Sequence, residues 1–151
     1  MAIGIDTFIN KIAMKHFTLS EFTRSKTAEK NGIKNEPSEQ QVQNIECLCA
    51  LILDPLRDAI GHPIIINSGF RCRRLNSILW GAKESAHIYG LAADFTFGSN
   101  TYLLDWAWCL LKSINHPYRK YIDQCIYYKD HNFIHVGLPK EGKPRNQFWM
   151  E

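Results

Sequence analysis

The sequence predicts an α+β fold in which a small, largely antiparallel sheet packs against helices. Three observations carry that expectation. Val42, Ile45, Leu48, Cys49, Ile52 and Leu56 recur at helical spacing. Residues 91–97 and 133–138 instead alternate, with Leu91, Ala93, Phe95 and Phe97 sharing one side of the first run and Ile134, Val136 and Leu138 one side of the second. The run "NTYLLDWAWCLLKSI" has the length and apolar content of another helix, so helical and extended segments interleave along the chain.

Taken in order, residues 1–15 form an amphipathic lead-in, and "FTLSEFTRS" offers Thr18 or Ser20 as the cap of a short helical turn. "NGIKNEPS" is a loop. The long central helix starts at Ser38 and stops at Gly61, with Pro55 bending it or beginning a new turn. "HPIIINSG" supplies a short buried strand over Ile64–Ile66, closed by a Ser-Gly turn. "FRCRRLNSILWGAKESAH" reads as a turn, a short helix and a loop, and "LAADFTFG" as a strand. Asn100 caps the second apolar helix, and "IDQCIYY" and "NFIHVGL" pair as a hairpin through "KDH".

The 151 residues, with 45% hydrophobic content, suffice for one domain over 1–151 with its own core. A net charge of +3, spread without long runs, leaves no nucleic-acid or membrane footprint, and no run reaches transmembrane length. The cysteines are odd in number and sit mostly in apolar periodic segments, so they read as buried thiols in a reducing compartment. Asp6, Asn10 and Lys11 interrupt any signal-like apolar stretch near the start, so the chain is expected to be cytoplasmic as synthesised. A monomer is the default.

"SAHIYGLAADF" places a histidine and an aspartate seven apart with a glycine and small or apolar residues between them. Asp94 and His135 each fall on the less apolar side of a strand whose other side feeds the core. If those strands are neighbours, both side chains converge on the open face, and His87, carried by a loop that turns at Gly90, can complete a triangle of two imidazoles and one carboxylate. Such a set, with one position left open, suits catalytic zinc, which acidifies a water and polarises a carbonyl. Spacing alone does not settle it, because isolated His and Asp residues recur by chance. His16, His62 and His116 read as surface or satisfied core residues.

Ser85, His87, Gly90, Ala92 and Asp94 together spell S-x-H-x-x-G-x-A-x-D, "NSGFRCRRLN" is similar to an S-G-[YF]-R segment, and "FIHV" is similar to a [WF]-[IV]-H-V strand. In this order and spacing the chain resembles the zinc D-alanyl-D-alanine carboxypeptidase family, in its phage and bacterial single-domain form, from about Phe17 to about Phe148. The resemblance implies a hedgehog/DD-peptidase-like fold and Zn2+ bound by His87, Asp94 and His135. It also implies that Arg71 holds a substrate carboxylate or carbonyl oxygen and contributes to catalysis. Ser85 would support the ligands by hydrogen bonding and border the substrate. Asp123-Gln124 resembles a pair that opens the penultimate strand, and Arg73 and Arg74 take no role.

One departure stands out. Enzymes of this family carry an acid three residues before the last zinc histidine, where it serves as general base; here that position is Asn132, which has no protonation equilibrium near neutral pH. Tyr128 stands at a second position where the family often has an acid. Asp130 and His131, on the hairpin turn, are the candidate substitutes, His131 being the better matched because an imidazole titrates at about 6.5. The implied activity is hydrolysis of D-amino-acid-containing peptide bonds in peptidoglycan stem peptides, as a carboxypeptidase or as a phage endolysin-type endopeptidase released to the cell wall by a holin. The alternative is an inactive zinc-containing module that binds cell wall or protein. Nucleic-acid binding through "RCRR" is the weakest reading.

Overall fold

The computed structural model describes residues 14–151. The lead-in expected over 1–15 falls almost wholly outside the described residues. Lys15 and His16 are tied down by their backbone N–H groups, which donate to the buried Asp54 carboxylate at 3.0 and 3.1 Å. Helix α1 (Leu19–Thr23) is capped at Thr18, whose N–H donates to Glu21 Oε2 at 2.7 Å, and α2 (Lys26–Lys30) at Ser25.

Ser38 opens α3 (Glu39–Leu48) with a reciprocal pair: its Oγ accepts from Gln41 N–H at 3.2 Å while Gln41 Oε1 accepts from Ser38 N–H at 2.8 Å. The helix does not run unbroken to Gly61. Cys49–Leu53 widen into a π-helical stretch, and α4 (Asp54–Ile60) resumes with Pro55 in its first turn. Proline has no N–H to donate, and its ring would strike the carbonyl four residues back. A wider turn, closed by Asp54 N–H on Cys49 O, carries the chain past that obstacle before α4 ends at Gly61.

The remaining elements are β1 (Ile65–Ser68), α5 (Arg73–Ile78), a 3₁₀ turn (Ala86–Tyr89), β2 (Ala92–Thr96), α6 (Thr101–Lys112), β3 (Gln124–Tyr128), β4 (Phe133–Gly137) and β5 (Gln147–Met150). They make a sheet of order β1-β2-β4-β3-β5, antiparallel throughout except where β5 runs parallel to β3. The α+β class is as the periodicity predicts. Strand β5 was not anticipated, because Gln147–Met150 is short and lies at a sheet edge, where no alternation of burial marks it. With β5 following β4, the strand opened by Gln124 is not the penultimate one. Nor is the strand expected over Ile64–Ile66 fully buried: β1 runs Ile65–Ser68 at the other edge of the sheet, and while Ile66 and the preceding Ile64 are buried in the core, Ile65 is 44% exposed.

One face of the sheet, carrying Ala93, Phe95, Cys125, Tyr127, Ile134 and Val136, joins Leu48, Ile52 and Leu56 of the α3–α4 region and Leu104 and Leu111 of α6 in one apolar cluster. Truncating any of these large aliphatic residues to alanine should cost about 2–5 kcal/mol. Cysteines do not all belong there. Cys49 and Cys125 are buried, but Cys109 lies on the solvent side of α6, opposite the stripe of Leu104, Ala107, Trp108 and Leu111.

The other face is not open along β2. Ala92, Asp94 and Thr96 are all buried, and the Ala86–Tyr89 turn lies over the Ala92 end of the strand, with Ala86 close to Gly137. Two amides of α3 clamp the turn: Gln41 Nε2 donates to Ile88 O at 3.1 Å and Asn44 Nδ2 to Tyr89 O at 2.8 Å. Gly90 makes this approach possible, since it sits at φ +72° and an added Cβ would lie 2.6 Å from Gln41 O. Gly90→Ala should therefore lower unfolding free energy by more than about 1 kcal/mol. Urea denaturation checks this, and an unchanged midpoint would show that the turn is not pressed against α3.

Candidate metal centre

Residues directly opposite each other on paired strands share a face. Ser68, Asp94, His135, Ile126 and Trp149 are successive partners across β1, β2, β4, β3 and β5, so they form one row over the sheet face away from the core. A bulge sets the first member. Ile66 pairs with Phe95 and Ser68 with Asp94, so Asn67 is the extra residue; in an unbulged strand Asn67, not Ser68, would pair with Asp94.

His87 joins this row from the 3₁₀ turn. Ser85 caps that turn, its Oγ accepting from His87 N–H at 3.3 Å. The His87 ring is fixed at Nδ1, which lies 2.7 Å from Gly69 O. A carbonyl only accepts, so Nδ1 carries a proton and Nε2 is the nitrogen presented to Asp94 Oδ1, at 3.2 Å. His135 Nδ1 reaches the same oxygen at 2.8 Å. One donor atom from each of His87, Asp94 and His135 lies within 4.8 Å of the others.

Each of the two imidazole nitrogens can face that carboxylate oxygen only by donating an N–H to it or by sharing a cation with it. Burial pushes the Asp94 carboxyl up, but the charge and hydrogen bonds of His87 and His135 outweigh it and hold the group well below the usual carboxylate range. The donor set of two nitrogens and one oxygen, without thiolate, fits zinc, and the Gly69 carbonyl behind His87 is the kind of support that orients a metal-binding imidazole.

Arg71 stands beside the three. Its Nε donates to Ser68 Oγ at 2.9 Å, its Nη2 reaches Asp94 Oδ2 at 3.4 Å, and its backbone N–H donates to His87 O at 3.1 Å. Burial lowers the guanidinium from its ordinary value and Asp94 offsets part of that. Arginine carries five N–H donors, and those not used on Ser68 and Asp94 remain for a ligand.

Arg71, Ser85, His87, Asp94 and His135 all border one cleft of about 620 Å³. Its floor is the sheet face, with Ile126 of the row and Gln124, Tyr128 and Phe133 beside it. Two carboxylates other than Asp94 line it. Asp123 is gripped by Arg145, whose Nη2 lies 2.7 Å away, and that hydrogen bond lowers its pKa. Glu84 accepts from the Tyr89 hydroxyl, which holds it below its ordinary value, with Arg73 and Lys140 adding to the effect. Sequence reasoning missed Glu84, Tyr89 and Lys140, which carry no motif and meet only in the folded chain.

The hairpin residues are not brought to the triad. Asp130 and His131 are exposed on the 3₁₀ turn between β3 and β4 and do not line the cleft. The turn projects beyond the strand ends instead of folding back over the row. Asn132 does not face the cleft either: it sits in the left-handed region at φ 58°, and its Nδ2 donates to Gly98 O at 2.7 Å. Its amide therefore anchors the loop after β2. His16 is paired with Asp58 at 2.7 Å and His62 is exposed. His116 is only half satisfied: Nε2 meets the Tyr118 hydroxyl at 2.8 Å, while Nδ1 is buried without a partner.

The chain matches the family described as Peptidase M15 over residues 15–137. It is also similar to a zinc D-Ala-D-Ala carboxypeptidase from Streptomyces albus G, with 48% identity over 48 residues, 31% of this chain and 19% of that protein. The similar stretch thus spans less than a fifth of that relative's length.

The placement of Asn132 has a measurable consequence. An aspartate there cannot donate to Gly98 O and would set two acceptors against each other, so Asn132→Asp should destabilise the fold by about 1–3 kcal/mol without creating a base in the cleft. Thermal unfolding reads the first effect; a stable variant with newly gained hydrolytic activity would show that the side chain reaches the triad.

Proposed function

This chain belongs to the peptidase M15 family, and from that premise we propose that it is a zinc peptidase acting on D-amino-acid-containing peptide bonds of peptidoglycan. The convergence of His87, Asp94 and His135 within 4.8 Å at the floor of a cleft carries this reading. The name of the Streptomyces albus G relative supports both the metal and the kind of bond. When bound, zinc would supply Lewis-acid polarisation and make a nucleophile available near neutral pH.

The chain's own residues do the rest. Arg71, held rigid by Ser68 and Asp94, turns its remaining N–H groups to a carboxylate or carbonyl oxygen of the peptide, positioning it and stabilising charge that builds during reaction. Ser85 keeps the His87 turn in shape. With Asn132 bound to Gly98 and Asp130 and His131 turned outward, proton transfer falls to a carboxylate lining the cleft. Asp123 and Glu84 are both engaged and held below their ordinary range, Asp123 by the Arg145 guanidinium and Glu84 by Tyr89, Arg73 and Lys140. We assign the proton to Glu84, because it lies on the segment that carries His87 and its nearest partner is a neutral hydroxyl, which orients it, and not a guanidinium held through two nitrogens.

The absence of a base at position 132 also favours a second reading, a zinc-containing module that binds cell-wall peptide without cutting it. One experiment separates them. Release of D-alanine or of smaller fragments from defined stem peptides should be abolished by a chelator and restored by zinc. Glu84→Gln should lower kcat by roughly 10²–10⁴-fold, the range of general acid–base catalysis, while Arg71→Ala should lower kcat/KM by a comparable factor. A zinc-loaded protein that binds the peptide and never cleaves it would establish the binding module instead.

A further inference from the structure

Trp80 is 94% exposed and occupies the left-handed region at φ 57°. Each property alone is unfavourable for a tryptophan. A bulky residue in the left-handed region is strained, and an indole in water forgoes the burial that its large apolar surface would otherwise contribute. Such strain persists only where surrounding structure imposes it.

That structure is present. The buried Asn76 of α5 donates from Nδ2 to Ala82 O at 2.9 Å, and its backbone O accepts from Gly81 N–H at 2.9 Å. Gly81 is pressed so closely on Asn76 that an added Cβ would meet its Oδ1 at 2.0 Å. Trp80 N–H donates back to Ser77 O at 3.2 Å. These contacts fix the turn after α5 and throw the indole outward.

The indole is thrown over the lip of the cleft that holds the triad. Its neighbour Leu79 borders that cleft and, with Arg71, a second one of about 760 Å³ running along β1. Leu79 therefore stands where the two grooves meet, with Trp80 beside it on the rim of the cleft that holds the triad.

We propose that Trp80 is a stacking platform for a pyranose ring of the glycan strand attached to the stem peptide, and so determines preference for glycan-linked over free peptide. This rests on the peptidoglycan reading above. A pyranose covers more of an indole than a stem peptide does: alanyl methyls are too small, and an ammonium-ended side chain meets the ring face only at its tip. A pyranose instead offers a flat face of C–H groups that packs on the electron-rich ring, leaving its hydroxyls in water.

The test uses zinc-loaded protein and two ligands, a disaccharide-tetrapeptide and the same tetrapeptide without sugar, with binding measured by calorimetry and hydrolysis followed separately. Wild-type protein should bind the sugar-bearing ligand about tenfold more tightly, the size of one aromatic contact. Trp80→Ala should remove most of that ratio and Trp80→Phe should keep much of it. Trp80→Gly, which relieves the backbone, should melt at or above the wild-type temperature while losing the same preference.

No preference in the wild type, or an equal loss of affinity for both ligands in Trp80→Ala, would overturn the proposal. So would a lowered melting temperature in Trp80→Gly, since the indole would then be supporting the fold. A sugar preference that depends on Trp80 in a protein that hydrolyses neither ligand would sink the peptidase reading and leave this one standing. Hydrolysis of both ligands at equal rates and affinities would do the reverse.

Discussion

Because side chains alternate along a strand, the pairing of Asp94 directly opposite His135 decides which face of the sheet the candidate site occupies. A slip of one residue in either strand would send one of the two into the apolar cluster with Phe95 and Val136. That register is held by burial on the far side, where the β2 and β4 residues alternating with Asp94 and His135 are fully covered by helices. The same alternation makes a charged group affordable on a buried strand. Asp94 is only 9% exposed, yet one of its oxygens meets two imidazoles and the other an arginine.

The third member comes from outside the sheet and needs more support. His87 rides on a short turn capped by Ser85, backed by the Gly69 carbonyl and clamped onto α3 by Gln41 and Asn44. These contacts come from three separate segments of the chain. Rigid placement of this kind suits a metal-binding imidazole, whose ring orientation is set by the hydrogen bond at its other nitrogen. The bulge at Asn67 belongs to the same arrangement, since it brings Ser68 into the row and so provides the anchor for Arg71.

The α+β class was legible because two periodicities, near 3.6 and 2, are written plainly into residues 42–56, 91–97 and 133–138. The grouping of His87, Asp94 and His135 was legible because strand alternation puts two of them on one side and a glycine turn delivers the third. Other features depend on distant contacts that no local pattern records. Pro55 announces a disturbance but not a π-helical stretch before it, and an extra residue in β1 looks like any other asparagine. Asn132 stands where a base was expected, yet its partner is a carbonyl thirty-four residues away, so the side chain turns from the cleft. Glu84, Tyr89 and Lys140 assemble only when the loop after β4 approaches the turn before His87.

Anomalous diffraction at the zinc absorption edge, from crystals grown with zinc, addresses the central claim most directly. The expected result is one strong peak about 2 Å from a nitrogen of His87, an oxygen of Asp94 and a nitrogen of His135. A featureless map at that point, or a peak bound by other residues while these three remain hydrogen-bonded to one another, would contradict the metal centre.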